Sequence, residues 1–388
     1  MKRIYLDYNA TTPIDPGVLE VMMPYLKEDF GNPSSIHSYG RKGKAALDTA
    51  REQVAELLGA SPREIMFTSG GSEGNNHALK GAAGALKERG NHFITTKVEH
   101  ESVLETFKSL EKEGFRVTYL GVDSDGLTDL EELRDSITDE TVLVSCMYAN
   151  NETGTIMPIG DIASVVKEKG VILHSDAVQA AGKLEIDTGK IPVDLLTVSA
   201  HKFYGPKGTG ALFIRDELLS RQFLPPFIHG GGQERGMRSG TENVAGIAGM
   251  GAAASIAKGG MSGDRARIQS LRDRLYEKIS SDVFGVGING SVEKMLWNTL
   301  NLRIKDVDGV SLSMNLDLEG VAVSTGSACS QGNVDPSHVL KAMGLSKDEA
   351  SASVRISLGR FTTAKDIEFV SDLIPKVVKR IRSVGLTA

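Results

Sequence analysis

Cysteine is nearly absent: only Cys146 and Cys329 occur in the 388 residues, and no CxxC pair is present. Two such distant thiols give no disulfide framework, and their scarcity points to a reducing compartment, the cytoplasm. Long apolar runs are missing as well; no stretch approaches the ~20 residues that a membrane span needs. The opening MKRIYLDYNATTP has two basic residues but no apolar core, so a secretory signal is not expected. Excess positive charge is lacking too. The formal net charge is -6 and no long basic run occurs, which argues against a nucleic-acid binder. None of the eight histidines stands in an HxxxH or HExxH pair, and no second cysteine lies near Cys329, so no sequence-local metal site is expected.

Glycine, by contrast, is plentiful and clustered: 43 residues, gathered at SGGSEG, YGPKGTG, HGGGQERG and STGSAC. Each cluster adjoins an apolar run, where backbone turning out of a strand can pass close to a ligand. Short apolar runs alternate with helical patterns from about residue 60 to 215. Strands are expected at 65–68, 92–96, 116–121, 142–149, 171–176, 195–199 and 210–214, with helices at 72–89, 102–113, 127–137 and 159–169. That alternation predicts an α/β fold with a mostly parallel, helix-covered sheet. The chain around YGPKGTG is too short for a helical crossover, so one strand there is expected to run antiparallel. A small-residue helix near 244–258 and an amphipathic helix in MSGDRARIQSLRDRLYEKI lead onward. The mixed pattern beyond them predicts a smaller α+β domain. The expected division is a large domain over 15–258, with 1–14 joining 259–388 in the small one.

Several residues in this frame carry chemistry. In VDLLTVSAHKFYGPKGTG, Lys202 follows an apolar strand, a position from which an amine projects into a cleft and serves Schiff-base chemistry. A solvated strand-end lysine reads the same way. Ser199 and His201 flank it as donors to a phosphate. Asp176 ends another strand and suits pairing with a ring nitrogen, or else a helix cap. Gly71 and Ser72 sit where a strand turns into a helix, an anion site by its free amides and dipole. That turn is neither GxGxxG nor a Walker loop. His100 precedes a helix and suits ring stacking, proton transfer or simple capping. Cys146 lies in an apolar run and reads as an inert packed thiol. Cys329, in STGSACSQG, has only small or polar neighbours, which does not suit a core thiol.

These pieces together resemble the pyridoxal 5'-phosphate-dependent cysteine desulfurases of the NifS/IscS type, class V aminotransferases of fold type I. The resemblance spans nearly the whole chain: YLDYNATTP, FGNPSSIH, FTSGGSEGNN, EHESVLE, ANNETGTIMPI, HSDAVQAAGK, SAHKFYGPKG, HGGGQERGMRSGTEN, STGSAC and SVRISLGRFT occur in family order. It implies that Lys202 holds the cofactor covalently, Asp176 pairs with the pyridinium nitrogen and His100 stacks on the ring. It further implies that Gln179 contacts the phenolic oxygen and that Asn151 lies near cofactor and substrate. Gly71, Ser72, Ser199 and His201 would hold the phosphate. Thr241 would reach the phosphate of the other subunit in a homodimer, and Arg355 would clamp the substrate carboxylate. Relatives commonly carry an alanine-threonine pair where this chain has Gly71-Ser72, which predicts a looser turn.

The implied activity is sulfur removal from L-cysteine, giving L-alanine and a persulfide on Cys329. An iron–sulfur scaffold protein of the IscU/NifU type would be the acceptor. An aminotransferase would not need Cys329; selenocysteine lyase shares the same residues. A cofactor-binding assembly platform without catalysis is the reading from another class. Lys202, Asp176, His100, Arg355 and Cys329 occurring together speak against it.

Overall fold

The main-sheet strands are short runs, buried throughout except at the edge strand Arg116–Leu120, the pattern of a sheet covered on both faces. In the computed structural model, which describes residues 3–325 and 336–385, seven of them form one sheet. Their spatial order is Ile65–Thr68, Gly210–Ile214, Leu195–Ser199, Ile172–Asp176, Thr141–Ser145, His92–Thr96 and Arg116–Leu120. Gly210–Ile214 runs antiparallel to both its neighbours, as the short connection requires, and the remaining pairs are parallel.

Successive strand residues point to opposite faces. Ile94, Val144, Leu173 and Leu196 enter one core with the helices Ser38–Leu58 and Ile159–Glu168. Phe93, Leu143, Ile172 and Leu195 enter the other, against Gly71–Leu86 and Glu101–Lys112. A third core gathers around the antiparallel strands Val286–Ile288, Thr299–Ile304 and Ser353–Ser357, with the helices Gly309–Leu318 and Ala364–Gly385. Ile4 and Leu6 pack into it, and Ile4–Tyr5 pairs with Val321–Ala322.

Two expected helices are one. Val244–Asp282 runs unbroken for 39 residues through Gly259, Gly260 and Gly263. Each helical glycine costs about 1 kcal/mol. Both ends, however, are pinned: Ile247 and Met250 lie in the first core, Ile268, Leu271 and Leu275 in the third.

Behind the end of Ile172–Asp176 the chain turns through Gly182, at φ +74°, where an added Cβ would sit 2.6 Å from Phe203 Cβ. Gly182→Ala therefore combines a left-handed backbone penalty with overpacking, together about 2–4 kcal/mol. Urea unfolding of the cofactor-free protein is expected to show a correspondingly lowered midpoint; an unchanged midpoint would mean that the turn yields freely.

Candidate active site

The parallel strands deliver their carboxyl ends to one crevice, the usual ligand position in such sheets. There a cavity of about 810 Å³ is lined by ten of the residues expected from the sequence: Gly71, Ser72, His100, Asn151, Asp176, Gln179, Ser199, His201, Lys202 and Arg355. Thr241 is exposed and does not line it. Cys329 lies outside the described residues. Ser324 and Pro336, on either side of that segment, both line the cavity.

Strand Leu195–Ser199 ends in a tight turn, Ala200–Lys202, which swings the lysine inward. Its Nζ donates to Asn9 O at 2.6 Å and Ala10 O at 2.9 Å, so it is not a solvated strand-end residue. Burial pushes the amine down to about 8, helped by the Arg355 charge and opposed by Asp176 and Asp7. Asp176 is buried at the end of its strand, with both carboxylate oxygens engaged. One oxygen accepts from Val178 N at 2.9 Å and caps the following turn, while the other accepts from Asn75 Nδ2 at 2.6 Å.

His100 caps the helix Glu101–Lys112 and lines the cavity as well. Its Nδ1 accepts from Ser102 N at 3.1 Å, so the proton of the neutral ring sits on Nε2. Arg355 is held by Asp7 Oδ1 at 2.6 Å and Asn151 O at 2.9 Å; its buried Nε has no hydrogen-bond partner among the described residues. A carboxylate would satisfy that nitrogen.

At the other end, Gly70 adopts φ 155° and ψ -175° ahead of the helix Gly71–Leu86. First-turn amides of a helix lack intrahelical acceptors and favour an anion. The expected looser turn is instead closely packed: a Cβ on Gly71 would meet Val178 Cγ2 at 2.8 Å. Glu73 in that first turn would repel an anion, but Arg238 neutralises it at 2.9 Å. His201, near Ser72 and Ser199 on an adjoining cavity of about 440 Å³, is pushed down to about 4 by burial and by Lys202, Lys207 and Lys183. Neutral, it would meet a phosphate as a hydrogen-bonding group and not as a charge.

This set fits pyridoxal 5'-phosphate on the structure's own terms. A depressed amine would suit an aldehyde, a buried carboxylate a ring nitrogen, and a helix start with two hydroxyls a phosphate. Sequence reasoning missed Asp7, Asn9 and Asn75, whose partners are remote in the chain. It also missed Glu152, whose carboxyl is pushed up by burial while Ser337 Oγ donates to it at 2.5 Å. Asp7 and Asn9 sit in the quoted YLDYNATTP, the one signal that could have found them.

The family described as Aminotransferase class-V matches residues 4–370. A cysteine desulfurase IscS of Clostridium botulinum is 48% identical over 386 residues, covering 99% of this chain and 96% of that protein. A protein of the same name from Klebsiella pneumoniae is 48% identical over 385 residues, covering 98% and 94%. Among solved structures, a NifS-like protein is similar with a TM-score of 0.91 at 40% identity, over 97% of this chain and 99% of that one. SspA in complex with cysteine is similar with a TM-score of 0.82 at 40% identity, over 93% and 100%.

Proposed function

Because the chain belongs to the class-V aminotransferases and is a pyridoxal-phosphate-dependent cysteine desulfurase of the IscS and NifS kind, we propose that its cavity residues divide the work of moving sulfur from L-cysteine to Cys329. The observation that carries this reading is the Lys202 amine, held at the crevice in one cavity with Asp176, His100 and Arg355. When bound, the cofactor supplies an aldehyde for the substrate amine and a ring that accepts the electron pair from Cα.

Arg355 binds the substrate carboxylate through its fork, with Asp7 and Asn151 fixing the plane of the guanidinium. Lys202, with an amine near 8, takes the Cα proton onto Nζ and later returns one. Asp176 keeps a proton on the ring nitrogen; Asn75 and the Val178 amide hold its carboxylate in place. His100 donates from Nε2 toward the substrate. The helix start at Gly71 and Ser72, with Ser199 and His201, anchors the phosphate and so fixes register. Asn151 and Gln179 border cofactor and substrate. At Cys329 the thiolate attacks the substrate sulfur; the C–S bond breaks, an S–S bond forms, and alanine leaves after protonation.

The active form in this reading is a homodimer. Leu26, Phe30 and Ile36 are 59%, 73% and 91% exposed, apolar surface that a second copy would cover. Thr241, exposed on its own subunit, is then available to the phosphate of the other. We read residues 15–258 as the cofactor domain, with 1–14 and 259–388 as the small one. The acceptor is an iron–sulfur scaffold of the IscU/NifU type and the compartment the cytoplasm; among the described residues no helix is long and apolar enough to cross a membrane.

Purified, cofactor-loaded protein given L-cysteine and a thiol reductant is expected to release sulfide and alanine in equal amounts. Pyruvate and ammonia in place of alanine would mean elimination chemistry and would overturn the reading.

A further inference from the structure

We infer that Lys183 is a positioning residue: its amine fixes the carboxamide of Gln179 so that the N–H₂ side, and not the oxygen, is offered beside Lys202. Lys183 follows Gln179 by four residues in the turn behind Asp176 and is only 6% exposed. Its Nζ donates to Gln179 Oε1 at 2.8 Å and to Gln179 O at 3.2 Å. Gln179 Nε2 then donates to Asn9 O at 2.8 Å, the carbonyl that also accepts from Lys202 at 2.6 Å. Reversing the amide would set its oxygen against the Asn9 carbonyl and turn its N–H toward the lysine amine that now donates to it, so both observed hydrogen bonds would be lost.

The lysine is itself anchored. Trp297 Nε1 donates to Lys183 O at 2.8 Å, and the neighbouring Gly182 packs against Phe203, next to Lys202. No carboxylate forms an ion pair with Lys183 among the described residues. Lys202 and Arg355 add to burial in pushing its amine down to about 7. A methylene stem would fill this space at far lower desolvation cost, so the amine calls for a polar task. Orienting Gln179 is the task its hydrogen bonds perform.

The inference rests on the reading that Gln179 faces the cofactor's phenolic oxygen. A donor there stabilises the anionic oxygen and lowers the proton affinity of the group conjugated to it. Its loss raises the pH at which the visible absorbance band of the bound cofactor changes.

The test titrates that band in cofactor-loaded wild type, Lys183→Met, Gln179→Ala and the double variant. Each single change is expected to raise the midpoint by about one pH unit or more, and the double to move no further than the larger single. A purely structural role would lower the melting temperature and leave the midpoint in place. Lys183→Leu, read by the same criterion, guards against a variant that fails to load. If Gln179→Ala shifts the midpoint and Lys183→Met does not, or if the two shifts add, the inference is overturned while the reading of Gln179 stands. If Gln179→Ala leaves the midpoint unmoved, that reading falls and the inference with it.

Discussion

Lys202→Ala is expected to give a folded protein that holds no cofactor covalently and whose alanine release falls about 10³-fold or more. The fold should survive because the lysine contributes little to packing. Its Nζ serves two backbone carbonyls, Asn9 O and Ala10 O, that border the open cavity, so water can replace it. The chemistry should not survive, because among the described residues no other amine in the cavity lining can take its place. Lys183 is bound to Gln179 behind the cavity wall, and Lys108 lies on the helix Glu101–Lys112 at its rim, ion-paired to Glu105. The amine of Lys202 is pushed down to about 8 by burial first and by Arg355 second. Below that pH the neutral fraction falls tenfold per unit. Covalent loading of cofactor-free wild type should therefore quicken by about tenfold per pH unit up to about 8 and then level off. Stopped-flow absorbance measures this directly; a flat rate between pH 6 and 9 would mean that the depressed amine does not control attachment.

The sheet was legible because its strands are short, continuous apolar runs bounded by turn residues, and two covered faces leave no alternation to misread. The helices Pro16–Lys27 and Ser38–Leu58 were not. Pro24 lies inside the first, and Gly40 and Gly43 interrupt the opening turns of the second. Those glycines answer a tertiary demand: a Cβ on Gly40 would lie 2.1 Å from Ser35 O. Local propensity pointed away from helix while packing required it.

The site divides along the same line. Lys202, Asp176 and the Gly71 turn stand at strand ends, where position alone suggests projection into a crevice. His100 shows the limit of an either-or reading, since the residue that caps a helix through one ring nitrogen also lines the cavity. Asp7, Asn9 and Asn75 act on partners far along the chain, Arg355 and Lys202 among them. No spacing rule reaches across such separations. Lys183 is harder still, because AAGK reads as the polar end of a turn and only the fold buries it.

Cys329→Ala is expected to keep the cofactor and its visible band yet reduce alanine and sulfide release to about 1% or less. The case begins with the other thiol. Cys146 is 2% exposed, and burial pushes its thiol well above the usual range, with the nearby Glu99 adding to the effect. A thiol is nucleophilic only as thiolate, so Cys146 cannot attack sulfur in the cavity. Cys146→Ala should accordingly leave the rate unchanged. Chain length alone limits the distance: Ser324, five residues before Cys329 in the sequence, lines the cavity, and five extended residues span at most about 18 Å. In the proposed reading cofactor binding relies on residues elsewhere in the chain, which is why colour and turnover should separate. Single-turnover alanine release after mixing with L-cysteine measures the loss. Wild-type release from Cys329→Ala would show that sulfur leaves the substrate without a protein thiol, and the chemistry would then have to rest on Lys202 and His100 alone.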